Sequence, residues 1–109
     1  MKTLLVVWTL FLVFPKFLSE GYKPPSGFVP NSSTAVKIAE AVLIPIYGEQ
    51  QITSERPFGA NLKDDVWVVE GTLHCPGTQT ASAVSCDGGV ATVRISKTDG
   101  RILFMWHGK

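Results

Sequence analysis

The sequence lacks the motifs that most often mark an enzyme. No serine lies in a Gly-x-Ser-x-Gly elbow, no glycine-rich phosphate-cradling loop occurs, and the two histidines have no obvious acidic partner to orient them. The remaining acid or base candidates are Glu70, Asp99 and His107. We expect Glu70 to pair with Arg94 across a sheet, while Asp99 forms a turn and the histidine lies at the surface. The sequence therefore predicts no catalytic site and no cofactor.

A strong excess of charge of either sign is also missing. The chain of 109 residues has ten basic and nine acidic side chains, for a formal net charge of +1. Loss of residues 1–21 would remove two lysines and one glutamate and leave 88 residues with no net charge, enough for one small domain. A neutral chain has no long-range attraction for phosphate backbones or anionic lipids. Nucleic acid and membrane surfaces are therefore poor candidate partners.

No apolar run is long enough to cross a bilayer. The longest, residues 4–14, follows Lys2 and has the length of the apolar segment of a secretory signal peptide. Ser19 and Gly21 are small enough for a signal peptidase site. We therefore predict a signal peptide over residues 1–21, cleaved before Tyr22, after which the chain has no membrane segment. The alternative is an uncleaved membrane anchor.

Cysteine is scarce, and Cys75 and Cys86 are the whole complement. In an oxidising compartment, a disulfide between them would close a loop of about 12 residues and stabilise the fold by about 3 kcal/mol, mostly by restricting the unfolded chain. A zinc site would have to combine this pair with His74 and His107. Adjacent His and Cys side chains rarely point at one ion, and a Cys-x-x-Cys knuckle is missing. We therefore predict the disulfide and no metal.

Residues 32–48 are the only segment after the signal peptide with a sustained helical period. The apolar positions at this spacing are Ala35, Ile38, Ala39, Val42 and Ile46. Ser32 or Ser33 can cap the first turn, and Gly48 can end the helix in a left-handed conformation. Pro45 should kink the last turn or end the helix near Ile44. The pattern predicts an amphipathic helix packed on an apolar surface.

The segments on either side of this helix are less regular. Three prolines and a glycine predict an extended arm over residues 22–31, with Phe28 and Val29 packed against the helix. Residues 49–57 are polar around Ile52 and predict a loop or a short second helix.

From residue 57 onward the apolar period changes to two, which is typical of strands. Four runs, residues 57–62, 66–73, 89–96 and 101–108, are joined by short connections, apart from the loop between the cysteines. Residues 63–65 form a polar turn, and Asp99-Gly100 is the strongest hairpin signal because both residues tolerate positive backbone angles. The runs predict an antiparallel meander with the helix on one face and the other face free.

The last run is apolar on both faces. Simple alternation places Ile102, Phe104 and Trp106 on one face and Leu103 and Met105 on the other. A one-sided meander does not require this, so either a further element or a partner covers the second face. Aromatic residues in the strands of a small domain can equally belong to its core.

Short stretches spread over residues 34–109 occur in the order of a known family. They are Thr34-Ala35, Ile38-Ala39-Glu40-Ala41, Ile46-Tyr47-Gly48, Pro57-Phe58, Trp67-Val68-Val69-Glu70-Gly71, Gly88-Gly89-Val90, Ile95-Ser96-Lys97 with Asp99-Gly100, and His107-Gly108-Lys109. In these residues the chain resembles the NTF2-fold immunity proteins of bacterial polymorphic toxin systems. The loop between the two cysteines departs from the shorter connection that is usual in the family.

This resemblance implies both a fold and a function. The fold is α+β, with an N-terminal amphipathic helix packed on a four-stranded antiparallel meander, a reduced NTF2/cystatin-like cone over residues 32–109. The function is that of a non-catalytic protein, which binds and neutralises a cognate secreted toxin and protects the producing cell in interbacterial competition. With the predicted signal peptide, the resemblance implies localisation in the periplasm and a toxin that acts there.

Two other interpretations belong to different functional classes. A helix carrying Ala-x-x-x-Ala, followed by strands and Lys-Thr-Asp-Gly-Arg-Ile, also looks like the PepSY-type domains of exported proteins that bind or inhibit peptidases. The Trp-Val-Val-Glu-Gly run and the terminal His-Gly-Lys favour the immunity family instead. A small isomerase or dehydratase on the same cone would need an acid/base pair that the sequence does not reveal.

The residue types most suited to binding a protein partner are aromatic residues and arginine on the free sheet face and the last strand. We therefore predict a partner-binding surface, and its members are Arg94, Met105, Trp106 and His107, with Glu70 as a charged rim.

Overall fold

The computed structural model describes residues 21–75 and 88–109. These residues form two helices and four strands: α1 (Ser32–Tyr47), α2 (Glu49–Ser54), β1 (Gly59–Lys63), β2 (Val66–Glu70), β3 (Ala91–Ser96) and β4 (Ile102–His107). The strands form one antiparallel sheet in the order β1-β2-β3-β4. The predicted α+β class and the predicted meander are therefore confirmed.

Two predictions concern residues outside this part of the chain. The signal peptide lies almost wholly within residues 1–20, and Cys86 lies within residues 76–87. The cleaved signal peptide and the disulfide to Cys75 therefore stay predictions. In the described part of the chain, neither helix has the length and apolar character needed to span a bilayer.

Helix α1 begins one residue earlier than its predicted caps suggest. Asn31 is the N-cap, and its Oδ1 accepts a hydrogen bond from the Thr34 amide at 2.9 Å, so the prediction of Ser32 or Ser33 is wrong. Asparagine is as good a cap as serine, and its position leaves both serines inside the first turn. At the other end, the Gly48 amide donates to the Ile44 carbonyl at 2.8 Å.

The helix passes through Pro45 and does not end near Ile44. Proline removes the amide that would bond to the carbonyl of Ala41, four residues back. Pro45 and Ala41 both lie on the exposed side of α1, where water can replace the lost partner. Gly48, with a φ of 96°, separates α1 from α2.

The buried stripe of α1 is shorter than predicted. Ala35, Ala39 and Leu43 are fully buried, whereas Ile46 is 60% exposed, so its assignment to the buried face is wrong. At that end of the core the fully buried position is taken by Ile52 of α2. The second of the two predictions for residues 49–57, a short helix anchored by Ile52, is thus confirmed.

The sheet face beneath α1 forms the other half of the core. Its fully buried members come from the middle two strands, Val69, Ala91, Val93 and Ile95, and Trp67 is 7% exposed beside them. These are the alternate residues that the period of two predicts to share a face.

The arm before α1 runs along the β3–β4 loop. The amides of Phe28 and Val29 donate to the carbonyls of Thr98 and Lys97, each at 3.0 Å. Successive side chains of an extended chain point in opposite directions, so Val29 is fully buried while Phe28 is 52% exposed. The prediction that both pack inward is wrong for Phe28. The indole of Trp67 fixes this arm by donating to the Val29 carbonyl at 2.8 Å.

The two hairpin turns differ from the predicted assignment. Positive φ angles at two successive residues occur at Asp64 and Asp65, 51° and 61°, in the two-residue turn between β1 and β2. In the longer β3–β4 turn only Gly100 has a positive φ, so the prediction for Asp99 is wrong. Asp99 instead accepts a hydrogen bond from the Arg101 amide at 3.0 Å, which lowers the pKa of its carboxyl group.

A bulge shifts the alternation of β4. Arg94 pairs with Phe104, but the next residue, Ile95, pairs with Ile102, so Leu103 is the extra residue. Because of this shift, Ile102 and Met105 pack on the core beneath α1. The predicted grouping of Ile102 with Phe104 and Trp106 is therefore wrong.

Candidate partner-binding surface

The sheet face opposite α1 includes two neighbouring rows of side chains that extend from β2 to β4. Residues directly opposite each other in an antiparallel pair share a face. The strand register places Val68, Arg94 and Phe104 in one row and Glu70, Thr92 and Trp106 in the other. We call these six residues the open face.

The open face exposes aromatic surface next to a cation. Phe104 is 43% exposed and Trp106 is 57% exposed, whereas the buried strand residues on the other face are at most 7% exposed. The guanidinium carbon of Arg94 lies 5.0 Å from the centre of the Phe104 ring, within the range of a cation–π interaction. Aromatic rings and arginine are the residues that contribute most to protein interfaces.

The predicted pair between Glu70 and Arg94 does not form. The register sets Glu70 opposite Thr92 and sets Arg94 opposite Val68 on one side and Phe104 on the other. In the described residues, the two salt bridges join Arg56 to Glu40 and His107 to Glu55. Glu70 and Arg94 are both exposed and available to a partner.

The five predicted binding residues divide between the two faces. Arg94, Trp106 and Glu70 lie together on the open face. Met105 packs against the core instead, because its cross-strand partner is the buried Val93. His107 pairs with the buried Ala91 and is also on the core side. The predicted single surface is therefore wrong for Met105 and His107.

His107 contacts a buried carboxylate that sequence analysis did not identify. Glu55, which directly follows α2, is only 4% exposed. Its Oε2 accepts hydrogen bonds from His107 Nε2 at 2.7 Å and from Gln51 Nε2 at 2.8 Å, and its Oε1 accepts from the Ala91 amide at 2.7 Å. A single side chain thus joins α2, β3 and β4.

The position of Glu55 follows from where β2 ends. Beyond Glu70, the Gly71 amide still donates to the Ala91 carbonyl at 3.0 Å, while the Ala91 amide bonds to Glu55. The carboxylate therefore replaces the strand as the acceptor for this amide. A side chain at Gly71 would place its Cβ 2.9 Å from Glu55 Oε1, so glycine provides the space.

The hydrogen bonds of His107 require a charged ring. Its Nδ1 lies 2.6 Å from the Gly108 carbonyl oxygen and its Nε2 lies 2.7 Å from Glu55, and both of these groups accept hydrogen bonds. Both contacts are hydrogen bonds at the same time only when both ring nitrogens carry protons. The hydrogen bond to Glu55 is the main cause that raises the pKa of His107.

The carboxylate is correspondingly ionised. Burial acts to raise the pKa of Glu55, but the hydrogen bonds from Gln51, the Ala91 amide and His107 outweigh burial and lower it. The Tyr47 ring, with its centroid 5.0 Å from that of His107, packs beside the pair. The hydrogen bonds of Glu55 to Gln51, the Ala91 amide and His107 hold β4 against β3 and α2, so the pair acts as a clamp on β4.

Only the tertiary fold could reveal this clamp. Glu55 and His107 are 52 residues apart, and the one sequence signal is the spacing of Gln51 and Glu55, which places them on the same side of a helix.

His74, the other histidine, has its Nε2 2.7 Å from the Arg56 carbonyl oxygen. Across residues 21–75 and 88–109, no three His, Cys, Asp or Glu side chains converge as metal ligands.

Comparison with known proteins identifies related sequences. A family model described as NTF2 fold immunity protein matches residues 34–109, which include nearly all of α1 and all four strands. "Uncharacterized protein YhhH" of Escherichia coli (strain K12) is 36% identical over 97 residues, which cover 89% of this chain and 70% of that protein. Among solved structures, none matches this chain.

Proposed function

We propose that this chain binds a cognate protein toxin and neutralises it without catalysing a reaction. The chain belongs to the NTF2 fold immunity protein family, which is the basis of this proposal. Proteins of such a family act by binding. The observation that supports this function best is the open face, where Arg94, Phe104 and Trp106 leave a cation and two aromatic rings exposed on a rigid sheet. Rigid aromatic anchors lose little conformational entropy on binding, which favours a tight complex.

The toxin is proposed to act in the periplasm. An inhibitor must meet its target where the target acts, and residues 1–21 have the composition of a signal peptide. Export of this chain would place it with a toxin that attacks the cell envelope and not with one that acts on cytoplasmic nucleic acid.

Co-expression with the product of the neighbouring gene tests this function. That product is directed either to the periplasm or to the cytoplasm, and this chain is supplied with or without residues 1–21. We expect growth to be rescued from the periplasmic toxin only by the chain that carries residues 1–21. Rescue from a cytoplasmic toxin by the shortened chain would contradict the location. Absence of both toxicity and a complex would contradict toxin neutralisation and favour a peptidase-binding role.

The open face predicts which side chains contribute to toxin binding. Arg94→Ala and Trp106→Ala should each weaken the affinity by about tenfold to hundredfold, because truncating an interface anchor typically costs about 1–3 kcal/mol. Calorimetric titration of the toxin measures the affinity, and circular dichroism checks that each variant is folded. Lys37→Ala, on the exposed side of α1, is the matched control and should leave the affinity unchanged. Unchanged affinity in both open-face variants would exclude this surface.

A further inference from the structure

We propose that the outer edge of β4 binds an extended acidic segment of the partner toxin as an added strand of the sheet. This inference rests on the proposed function and specifies how the toxin is held. Strand addition gives affinity through main-chain hydrogen bonds, and the flanking side chains select the sequence of the added strand.

The backbone of β4 has hydrogen-bonding groups that face away from the sheet. The Gly108 amide donates to the Val90 carbonyl at 3.2 Å, and bonding alternates along an antiparallel pair. The backbone groups of Trp106 and Phe104 therefore face β3, whereas those of Met105 and His107 point to the outer edge. Within residues 21–75 and 88–109, no strand pairs with that edge.

The two edges of the sheet differ in how they are protected. Edge strands usually avoid unwanted pairing by charged residues, β-bulges or a covering element. The β1 edge contains Lys63 and packs beneath α1. The β4 edge has a bulge at Leu103 near its start, and the residues that follow, 104–106, are uncharged. Helix α1 reaches β4 on the core side through the contact of Tyr47 with His107, and its main contacts are with the other three strands. The part of β4 beyond the bulge is therefore suited to pairing with another strand.

The charge around β4 specifies an acidic partner. Residues 88–109 contain one acidic side chain, Asp99, and four lysine or arginine side chains, which are Arg94, Lys97, Arg101 and Lys109. Residues 22–75 have the opposite balance, with four cationic and six acidic side chains. An added strand with acidic residues at its ends would lie near Arg101 at one end of β4 and Lys109 at the other.

The same charges disfavour a second copy of this chain as the added strand. Antiparallel pairing of two β4 strands about a two-fold axis at Met105 would place Arg101 of one copy opposite Lys109 of the other. Like charges opposite each other in a sheet are destabilising. On the open-face side, Phe104 and Trp106 would instead contact apolar side chains of the acidic strand.

Amide hydrogen exchange on the complex with the toxin product of the neighbouring gene tests this inference. We expect the amides of Met105 and His107 to exchange at least about tenfold more slowly in the complex, because each gains a hydrogen bond. The matched control is the amide of Leu62, which points outward from β1 in the same way and should not change. A complex in which Met105 and His107 exchange as fast as in the unbound protein would overturn strand addition and leave toxin binding intact. Failure to form any complex would overturn both proposals.

A charge variant provides an independent measurement that does not disturb the backbone. Arg101→Glu should weaken toxin affinity by about tenfold at low salt, with a smaller loss at high salt, because screening reduces the contribution of exposed charges. Lys63→Glu, at the opposite edge, is the control and should change the affinity less than twofold. Equal effects of the two variants would contradict binding at the β4 edge.

A third measurement is amide exchange without toxin. Slow exchange of the Met105 and His107 amides at concentrations where sedimentation shows a dimer would assign the edge to a second copy and overturn the proposal.

Discussion

Glu55 is the residue on which the end of the sheet depends. Its two carboxylate oxygens accept three hydrogen bonds, one from the nearby Gln51 and two from Ala91 and His107, which are distant in sequence, and it is almost completely buried. A buried carboxylate is destabilising unless it is paired and hydrogen-bonded, and here both conditions are met. Its carbonyl oxygen also accepts from the Thr72 amide at 2.7 Å, so the residue connects four segments.

The pair predicts a specific dependence of stability on pH. The folded protein raises the pKa of His107 above its usual 6.5, so this group stabilises the fold fully below that value and its contribution is lost as pH rises through the raised pKa. The pKa of Glu55 is lowered from 4.5, so its contribution is present above that value and is lost as pH falls through the lowered pKa. The pair therefore contributes most between pH 4.5 and pH 6.5.

Urea unfolding of the wild type and Glu55→Gln over about pH 5 to 9 measures this dependence. At about pH 6 the variant should be less stable by about 2 kcal/mol, and its loss of stability at higher pH should be much smaller than that of the wild type. Glu49→Gln, in the exposed first turn of α2, should follow the wild-type profile. Parallel profiles for Glu55→Gln and the wild type would show that the pair is not ionised.

At the scale of elements, the arm and the β3–β4 loop depend on a close contact between backbones. Gly27 has a φ of 85°, and a Cβ there would lie 2.5 Å from the Lys97 carbonyl oxygen. The Lys97 ammonium group in turn donates to the Ser26 carbonyl. These contacts place Val29 over the core and bring its carbonyl within reach of the Trp67 indole. Glycine at position 27 is therefore required by both conformation and space.

Gly27→Ala should detach the arm and destabilise the protein by about 1–3 kcal/mol, because the clash with backbone cannot be relieved by a side-chain rotation. The tryptophan emission should shift to longer wavelength as the surroundings of Trp67 become more solvated, since Trp106 is already exposed and should contribute little to the shift. Gly59→Ala provides the control, since a Cβ there meets nothing within 4 Å and its φ is ordinary. A variant at position 27 with wild-type stability would show that the arm does not need this close approach.

At the scale of the whole molecule, the buried core and the proposed binding surface lie on opposite faces of the sheet. The face beneath α1 contains all the fully buried strand residues, and the open face contains the exposed aromatic rings and Arg94. Because successive residues of a strand point to opposite faces, neighbours in sequence have different surroundings. Val93 and Arg94 are such neighbours in β3.

Val93→Ala should therefore lower the free energy of unfolding by about 2 kcal/mol while the folded protein keeps its toxin affinity, because the change removes buried apolar volume alone. Arg94→Ala should have the reverse effect, with weaker affinity and nearly unchanged stability. Denaturant unfolding and calorimetric titration of the same two variants compare the roles. A loss of affinity in Val93→Ala under conditions where it is fully folded would contradict the separation of the two faces.

The local pattern of residues was sufficient to predict the helix, the four strands and the fold class. Helix and strand periodicity depends on the geometry of neighbouring residues, which repeats regularly within each element. The spacing of Ala35 and Ala39 and the alternation of Val93 and Ile95 are examples. The N-cap was missed by one residue because asparagine and serine serve equally well. Ile46 was wrongly predicted to be buried because α2 supplies the core at that end.

The candidate site could be predicted only in part. Arg94 and Trp106 were identified because arginine and tryptophan on a strand favour binding wherever the strand lies. Met105 and His107 alternate with Phe104 and Trp106 along β4, so a surface that combined Met105, Trp106 and His107 joined residues from opposite faces. The bulge at Leu103 accounts for the wrong grouping of Ile102 with Phe104 and Trp106. Glu55 was missed because its partners, His107 and Ala91, are distant in the chain.

The sequence by itself determined which segments form helix and strand, which family the chain belongs to and which residue types are available for binding. Only the tertiary structure decided which of those residues share a face, which backbone edge is unpaired and which carboxylate meets the histidine. The physical reason is that periodicity is a property of neighbours in the chain, whereas register, bulges and long-range hydrogen bonds depend on how distant segments pack together.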